Sequence, residues 1–147
     1  MAKDVCELPV NNASDDEIRA ILKDAKTIAV VGLSANPDKA SYRVAKYLKD
    51  NGYTIIPVNP TLKEWNGIQA YASLSDVTQP VDIVDIFRRP DDIPAIVDEA
   101  IAMKAKVVWM QLELAHNAAA EKARAAGLKV VMDRCTKVEH YHMKKNA

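Results

Sequence analysis

The sequence predicts an α/β protein with a Rossmann-like, doubly wound parallel sheet, a three-layer sandwich in a single domain over residues 1–147. Three observations carry that prediction. Short apolar, β-branched runs alternate along the chain with amphipathic segments of helical length, and strands joined by helices require parallel crossovers. TIAVVGL is β-branched and apolar on both faces, as a strand covered by helices on both sides must be, VDIVDIF reads as a further buried strand and KVVWMQL as another strand. The 147 residues suit one hydrophobic core, and no repeat, low-complexity tract or linker divides them. The right-handed crossover rule then leaves a doubly wound sheet as the simplest architecture.

Ser14 followed three residues later by Glu17 is a capping box, and Ile18, Ile21 and Leu22 recur at helical spacing. One helix therefore lies in an N-terminal extension, residues 1–23, ahead of a core expected over residues 24–140. TIAVVGL, residues 27–33, is the expected central strand. Ser41 to Asn51 puts Val44, Ala45 and Leu48 on one helical face and stops at Asn51 and Gly52; YTIIPV follows as the second strand. Beyond NPTLKEWNG, IQAY is a short strand candidate, and a polar connector leads to the strand VDIVDIF, residues 81–87. Asp91 to Met103 carries Ile93, Ile96, Val97, Ala100 and Ile101 at helical spacing, and KVVWMQL, residues 106–112, is the next strand. Residues 117–126 are alanine-rich and helical, Gly127 closes them, and LKVVM is the last strand.

Twenty basic and twenty acidic residues cancel, so no global charge draws the chain to nucleic acid or an anionic membrane, and attraction for an anion must be local. Two cysteines, Cys6 and Cys135, are too few for a disulfide scaffold, and the expectation is a reducing, cytoplasmic setting. The stretch MAKDVCELPV lacks the apolar core of a signal peptide, and no apolar run approaches the roughly 20 residues that span a bilayer.

In doubly wound sheets ligands sit outside the carboxyl ends of the strands, where the winding reverses. Five strand-end loops are therefore candidates. The first, VVGLSANPDKAS at residues 30–41, offers Gly32, Ser34 and Pro37 where a dinucleotide fingerprint has G-x-G-x-x-G. Gly32 permits the turn, and Ser34, Ala35 and Asn36 are small enough for backbone N–H groups to face an anion at the next helix. A plain strand-to-helix turn entered through Pro37 is the alternative. The Walker pattern fails, since no glycine precedes Lys39. At the second loop, PVNP, an NAD site would place an acid for the ribose hydroxyls; Asn59 stands there instead, with Lys63 beyond, which favours a phosphorylated ribose, or an adenine held differently, over NAD. The third loop is FRRP, residues 87–90, whose two arginines suit forked contacts to phosphate. Lys39, Arg43, Lys63, Arg88, Arg89 and Arg134 are the strand-end cations, but Asp38, Glu64, Asp91, Asp92, Glu113 and Asp133 share the same regions. Asp91 and Asp92 are expected in the first turn of a helix, where they complement its dipole.

No catalytic or metal constellation emerges. Asp82 and Asp85, three apart on one strand, point to opposite faces and cannot act as a pair. Asp85 is expected to be a buried acid held by backbone N–H groups, with proton transfer as the alternative. Cys135, His140 and His142 lack a fourth ligand and match no metal spacing. Trp109 is expected in the core, with a ligand platform as its alternative, and His116 on the surface near a helix start.

Assembled in this order, VVGLSANPDKASYRVAKYLKDNGY, IIPVNP, VDIVDIFRRP, VVWMQL and AGLKVVMDRC resemble the small stand-alone coenzyme A-binding domain proteins of bacteria, from about Asp24 to about His140. That family is similar to the N-terminal CoA-binding domain of the succinyl-CoA synthetase α subunit, without the second domain that carries the phosphorylated histidine. The resemblance implies CoA or an acyl-CoA as ligand and no catalysis of the chain's own. It puts the phosphate-binding turn on Gly32, Leu33 and Ser34, with Lys39, Ser41 and Arg43 behind it. Val58, Asn59 and Pro60 match the nucleotide-side strand ends, and Phe87 and Arg88 the third contact loop. One departure stands out: members commonly read WxQLG, and this chain has Glu113 in the place of the glycine, a replacement able to close the crevice or repel a phosphate there. The residues by themselves reach a phosphorylated nucleotide; CoA comes from the resemblance. An NAD(P)-linked enzyme, a thiol-dependent acyl transfer at Cys135 and a CoA-sensing regulatory partner remain alternatives. The acyl group, a homodimer and an unidentified protein partner stay open.

Overall fold

The structure, a computed structural model, describes residues 7–146; Cys6 lies outside them. In chain order come α1 (Asp15–Asp24), β1 (Thr27–Val31), α2 (Ala40–Asp50), β2 (Thr54–Val58), a hairpin of β3 (Glu64–Trp65) and β4 (Ile68–Gln69), β5 (Ile83–Ile86), α3 (Ile93–Ala102), β6 (Val107–Met110), α4 (Asn117–Ala125), β7 (Lys129–Val131) and α5 (Thr136–Lys145). Five strands form one parallel sheet in the order β2-β1-β5-β6-β7. From β1 the chain winds one way to β2; from β5 it winds the other way through β6 to β7. The reversal falls between β1 and β5, and the middle strand of the five is β5, not TIAVVGL (β1) as the sequence reading expected: with only β2 wound to its other side, β1 lies one place from the middle.

Successive side chains of a strand point to opposite faces, and the apolar runs use both. Ala29, Val31, Val84, Ile86, Val108 and Met110 pack with Ile93, Val97, Ala120 and Ala123 of α3 and α4. Ile28, Val30, Ile83, Val107, Trp109 and Val131 pack with residues of α1 and α2, among them Ile18, Leu22, Val44 and Leu48. The predicted three layers are present. The Ser14–Glu17 capping box forms in both directions, with Ser14 Oγ accepting from the Glu17 N–H and Glu17 Oε1 accepting from the Ser14 N–H.

Three elements differ from the sequence reading. Residues 136–145 form α5, which carried no helical signal because its only buried positions are Thr136 and His140, with no apolar stripe. Only Ile68 and Gln69 of IQAY are strand, paired antiparallel with Glu64 and Trp65, while Tyr71 forms a single bridge to Val58. The β2-to-β5 crossover holds no α-helix; a single 3-10 turn at Leu74–Asp76 serves, and Leu74, Val77 and Val81 cover the α3 face in its place. Asp91 and Asp92 likewise sit in a 3-10 turn, Pro90–Asp92, that leads into α3.

At the β7 edge the N-terminal segment acts as a strap. The Asn12 side chain accepts from the Met132 N–H at 2.9 Å and donates to the Met132 carbonyl at 2.7 Å, pairing with a backbone position as a strand would. No helix among the described residues is long and apolar enough to cross a membrane.

Candidate functional site

The register of the sheet aligns the last residues of four strands: Val31 pairs with Val58 and with Ile86, and Ile86 with Met110. The residues that follow, Asn59, Gly32, Phe87 and Gln111, therefore leave the sheet side by side at its carboxyl end. Gly32 is the tightest point. Its φ is +90°, in the left-handed region, and a Cβ there would lie 2.3 Å from the Phe87 carbonyl oxygen and 2.9 Å from Arg88 Cδ. Only glycine fits. Its N–H donates to the Val58 carbonyl at 2.8 Å, so the turn joins the ends of β1, β2 and β5.

Beyond Gly32 short polar side chains wind the loop onto α2. The Ser34 N–H donates to Ser41 Oγ at 3.0 Å, the Asn36 N–H to Ser34 Oγ at 3.0 Å, and the Asp38 N–H to Asn36 Oδ1 at 2.9 Å. Lys39 takes the cap position of α2 but makes no side-chain cap, and the first turn holds no acid. The first N–H groups of this helix thus have no capping side chain, and they carry the positive end of the helix dipole. Such an end accommodates an anion. Lys39 and Arg43 are exposed, and the Arg43 guanidinium donates to the Asp38 carbonyl.

Asn59 braces this arrangement from the β2 side. Its amide donates to the Leu33 carbonyl at 3.0 Å, and its Oδ1 accepts from the Thr61 N–H and hydroxyl at 2.9 and 2.8 Å. The side chain that replaces the expected ribose acid is thus spent on joining two loops. Nearby, Trp65 is buried edge-on to Tyr42 with ring centres 5.4 Å apart, and its indole N–H has no hydrogen-bond partner among the described residues.

A cavity of about 280 Å³ opens at the reversal point, and Gly32, Val58, Pro60 and Arg88 line it together. Leu33 is in the core, Ser41 is buried, and Phe87 is half-buried against the α1–α2 side. Leu33, Ser34, Lys39, Ser41, Arg43, Asn59 and Phe87 are not among the cavity-lining residues. They build its supports or stand on the exposed first turn of α2. A larger cavity, about 670 Å³, lies at the opposite end of the sheet between Ile101, Val107 and Leu128. The C-terminal ends of α1, α3 and α4 lie there, and Lys104, Lys106 and Lys129 line the cavity with Asp24 and Asp82. Ligands of doubly wound sheets belong at the carboxyl end, so the smaller crevice is the candidate.

A buried polar network that sequence reasoning missed joins β5, the end of β6 and the start of α5; none of its residues lines the crevice cavity. Asp85 has no exposed surface. Gln111 Nε2 donates to its Oδ1 at 2.6 Å and to Thr136 Oγ1 at 3.0 Å, and Thr136 Oγ1 donates to its Oδ2 at 3.0 Å. Burial pushes the Asp85 carboxyl up to about 7, against the two hydrogen bonds that favour its ionised form. The expectation that backbone N–H groups hold Asp85 is corrected: that role falls to Asp82, just before β5, whose Oδ2 accepts from the Lys26 and Thr27 N–H groups at 2.8 and 3.0 Å. Asp85 lies in the middle of the sheet, where neighbouring strands already take those N–H groups.

Trp109 is fully buried, its Nε1–H donating to the Arg134 carbonyl at 2.8 Å. His116 caps α4, with Nδ1 accepting from the Ala119 N–H at 3.1 Å. His140 docks α5: its Nδ1 is 2.9 Å from the Tyr47 hydroxyl and its ring stands edge-on to Tyr47 and Tyr53. Burial pushes the half-buried Cys135 thiol up. Among the described residues no group of three metal-ligating side chains forms. Glu113 has φ +66°, and its N–H donates to Asp133 Oδ1 at 2.7 Å. The left-handed backbone explains a glycine preference at this position, and Glu113 is not among the residues lining the crevice cavity.

Fold and site together define a single doubly wound α/β domain with a glycine-cradled crevice at its reversal point. The chain belongs to the CoA binding domain family, whose model matches residues 26–141. It is 44% identical over 131 residues to the uncharacterized protein YneT of Bacillus subtilis, covering 89% of this chain and 97% of that one. The solved structure of a hypothetical protein from Pyrococcus horikoshii superposes with a TM-score of 0.88 at 38% identity, covering 94% of this chain and 97% of that chain. An ADP-forming acetate–CoA ligase of Methanocaldococcus jannaschii is 26% identical over 130 residues, 83% of this chain; the match spans 18% of the ligase.

Proposed function

We infer that the chain binds CoA or an acyl-CoA at the reversal-point crevice and performs no catalysis of its own. The observation that carries this reading is the meeting of Gly32 with Phe87 and Arg88 beside the uncapped N-terminus of α2, in a chain of the CoA binding domain family. Backbone N–H groups at α2 suit a phosphate, Lys39 and Arg43 flank them, and Arg88 stands on the other side of the turn. Asn59, engaged by Leu33 and Thr61, leaves no acid for the paired ribose hydroxyls that NAD presents. The raised Cys135 thiol is a poor nucleophile near neutral pH, which counts against acyl transfer through it.

Calorimetric titration of the purified chain with CoA, dephospho-CoA and NAD tests the reading. CoA is expected to bind in preference to the other two. Equal affinities, or no heat with CoA, would remove it.

A further inference from the structure

Arg88 is the single cation lining the crevice cavity among the described residues, and it is already occupied. Its Nε and Nη2 lie 3.3 and 3.2 Å from one oxygen, Oδ2, of Asp92. Strong guanidinium–carboxylate pairs run at about 2.7–2.9 Å and use one oxygen for each N–H; here two donors share one oxygen at longer reach. Both side chains are open to water, 43% and 39% exposed, which screens the pair further. The Arg88 stem lies against the turn, its Cδ 2.9 Å from where a Gly32 Cβ would be. The other acids of the cavity are placed differently: Glu99 Oε2 accepts from the Ser73 hydroxyl at 2.6 Å, and Asp91 makes no ion pair to Arg88.

We propose that Asp92 is a displaceable counter-ion of Arg88, holding the guanidinium over the Gly32 turn while the crevice is empty and yielding it to a ligand phosphate. This rests on the reading of the crevice as a CoA site. A phosphate presents separate oxygens to the two N–H groups and carries more charge than one carboxylate oxygen, so it replaces Asp92 where a singly charged anion does not. The i,i+4 spacing keeps Asp92 at the mouth after displacement, ready to recapture Arg88 when the ligand leaves. Asp92 thus lowers affinity and raises selectivity for phosphorylated ligands.

The test is calorimetric titration of CoA into the full chain and into Asp92→Asn, Asp91→Asn, Arg88→Ala and the Arg88→Ala/Asp92→Asn double variant. Asp92→Asn is expected to tighten CoA about two- to fivefold, the fold-change that matches the loss of an exposed ion pair. Asp91→Asn makes the same charge change in the same cavity without touching Arg88 and is expected to gain less. In the Arg88→Ala background the Asp92→Asn gain is expected to vanish. Unchanged or weaker binding by Asp92→Asn, an equal gain from Asp91→Asn, or a gain that survives loss of Arg88 would each overturn the counter-ion role. Asp92 makes no side-chain cap on α3, so its replacement removes no capping hydrogen bond; thermal melts check the helix start, and Asp92→Ser substitutes if the Asn variant melts low. Should the native chain take no CoA, the CoA reading falls by itself. Pyrophosphate titration followed at the Arg88 Nε–H by NMR then decides Asp92: a larger shift at equal pyrophosphate in Asp92→Asn supports the counter-ion role, and an equal or smaller shift refutes it.

Discussion

Replacing Asp85 by Asn should change how stability depends on pH while leaving the fold intact. The carboxyl is fully buried, with Gln111 and Thr136 as its hydrogen-bond partners and its titration raised to about 7. A group whose titration is raised by folding contributes stability that is full below its unfolded value, 3.8, and is lost as pH rises toward the folded value. Above about pH 7 the folded protein also ionises and the loss stops. Across this range the loss runs at up to about 1.4 kcal/mol per pH unit and flattens near each titration value, so between about pH 4.5 and 7.5 it comes to about 3 kcal/mol. Asn imitates the neutral acid: its Oδ1 accepts from Gln111, and its Nδ2 donates to Thr136 Oγ1 as a protonated Oδ2 would. It cannot titrate. Urea unfolding of both proteins at about pH 4.5 and 7.5 should therefore show the gap between native chain and variant moving by about 3 kcal/mol in favour of the variant at the higher pH. The other ionisable groups are common to both proteins and cancel. A gap constant to within about 0.5 kcal/mol across this range would mean that Asp85 does not carry a proton near neutrality, and the burial argument would fail.

Two further outcomes follow from backbone geometry. Gly32→Ala forces a methyl into the Phe87 carbonyl at a left-handed φ; it should cost about 2–4 kcal/mol by denaturant unfolding and abolish CoA heat in calorimetry, and a variant unchanged in both would remove Gly32 as the junction of the loops. Glu113→Gly should stabilise by about 1 kcal/mol by relieving its left-handed backbone, whereas Glu113→Ala, which keeps that backbone, should not. Equal melting of the two variants would point to the carboxylate rather than the backbone.

Local patterns made most of the fold legible. Short apolar runs marked β1, β5 and β6, helical spacing marked α1, α2 and α3, and the Ser14–Glu17 pair marked the first helix start, because each of these signals lies within a few residues of chain. Helix α5 was invisible for the converse reason: it buries Thr136 and His140, and its docking depends on Tyr47, 93 residues away from His140. The hairpin strand Glu64–Trp65 is two residues long, too short to show a period.

At the site, residue types and loop positions were readable, since glycine, small polar residues and arginines at strand ends have local chemical meaning. Their engagements were not. Asn59 looked like a substitute for a ribose acid, yet its amide is committed to Leu33 and Thr61. Asp85 looked like an acid held by backbone, yet the sheet interior leaves it only side chains from 26 and 51 residues away.

The sequence by itself determined that alternating strands and helices wind into a parallel sheet, that a lone glycine follows the first strand, and that Asn59, not an acid, stands at the end of the second. Only the tertiary structure decided that β1 and β5 lie adjacent with their ends in register. That register sets the Phe87 carbonyl against Gly32, holds Arg88 over the turn beside Asp92, and closes Asp85 away from water. Strand order and register are long-range matches between faces and edges, which no local period encodes.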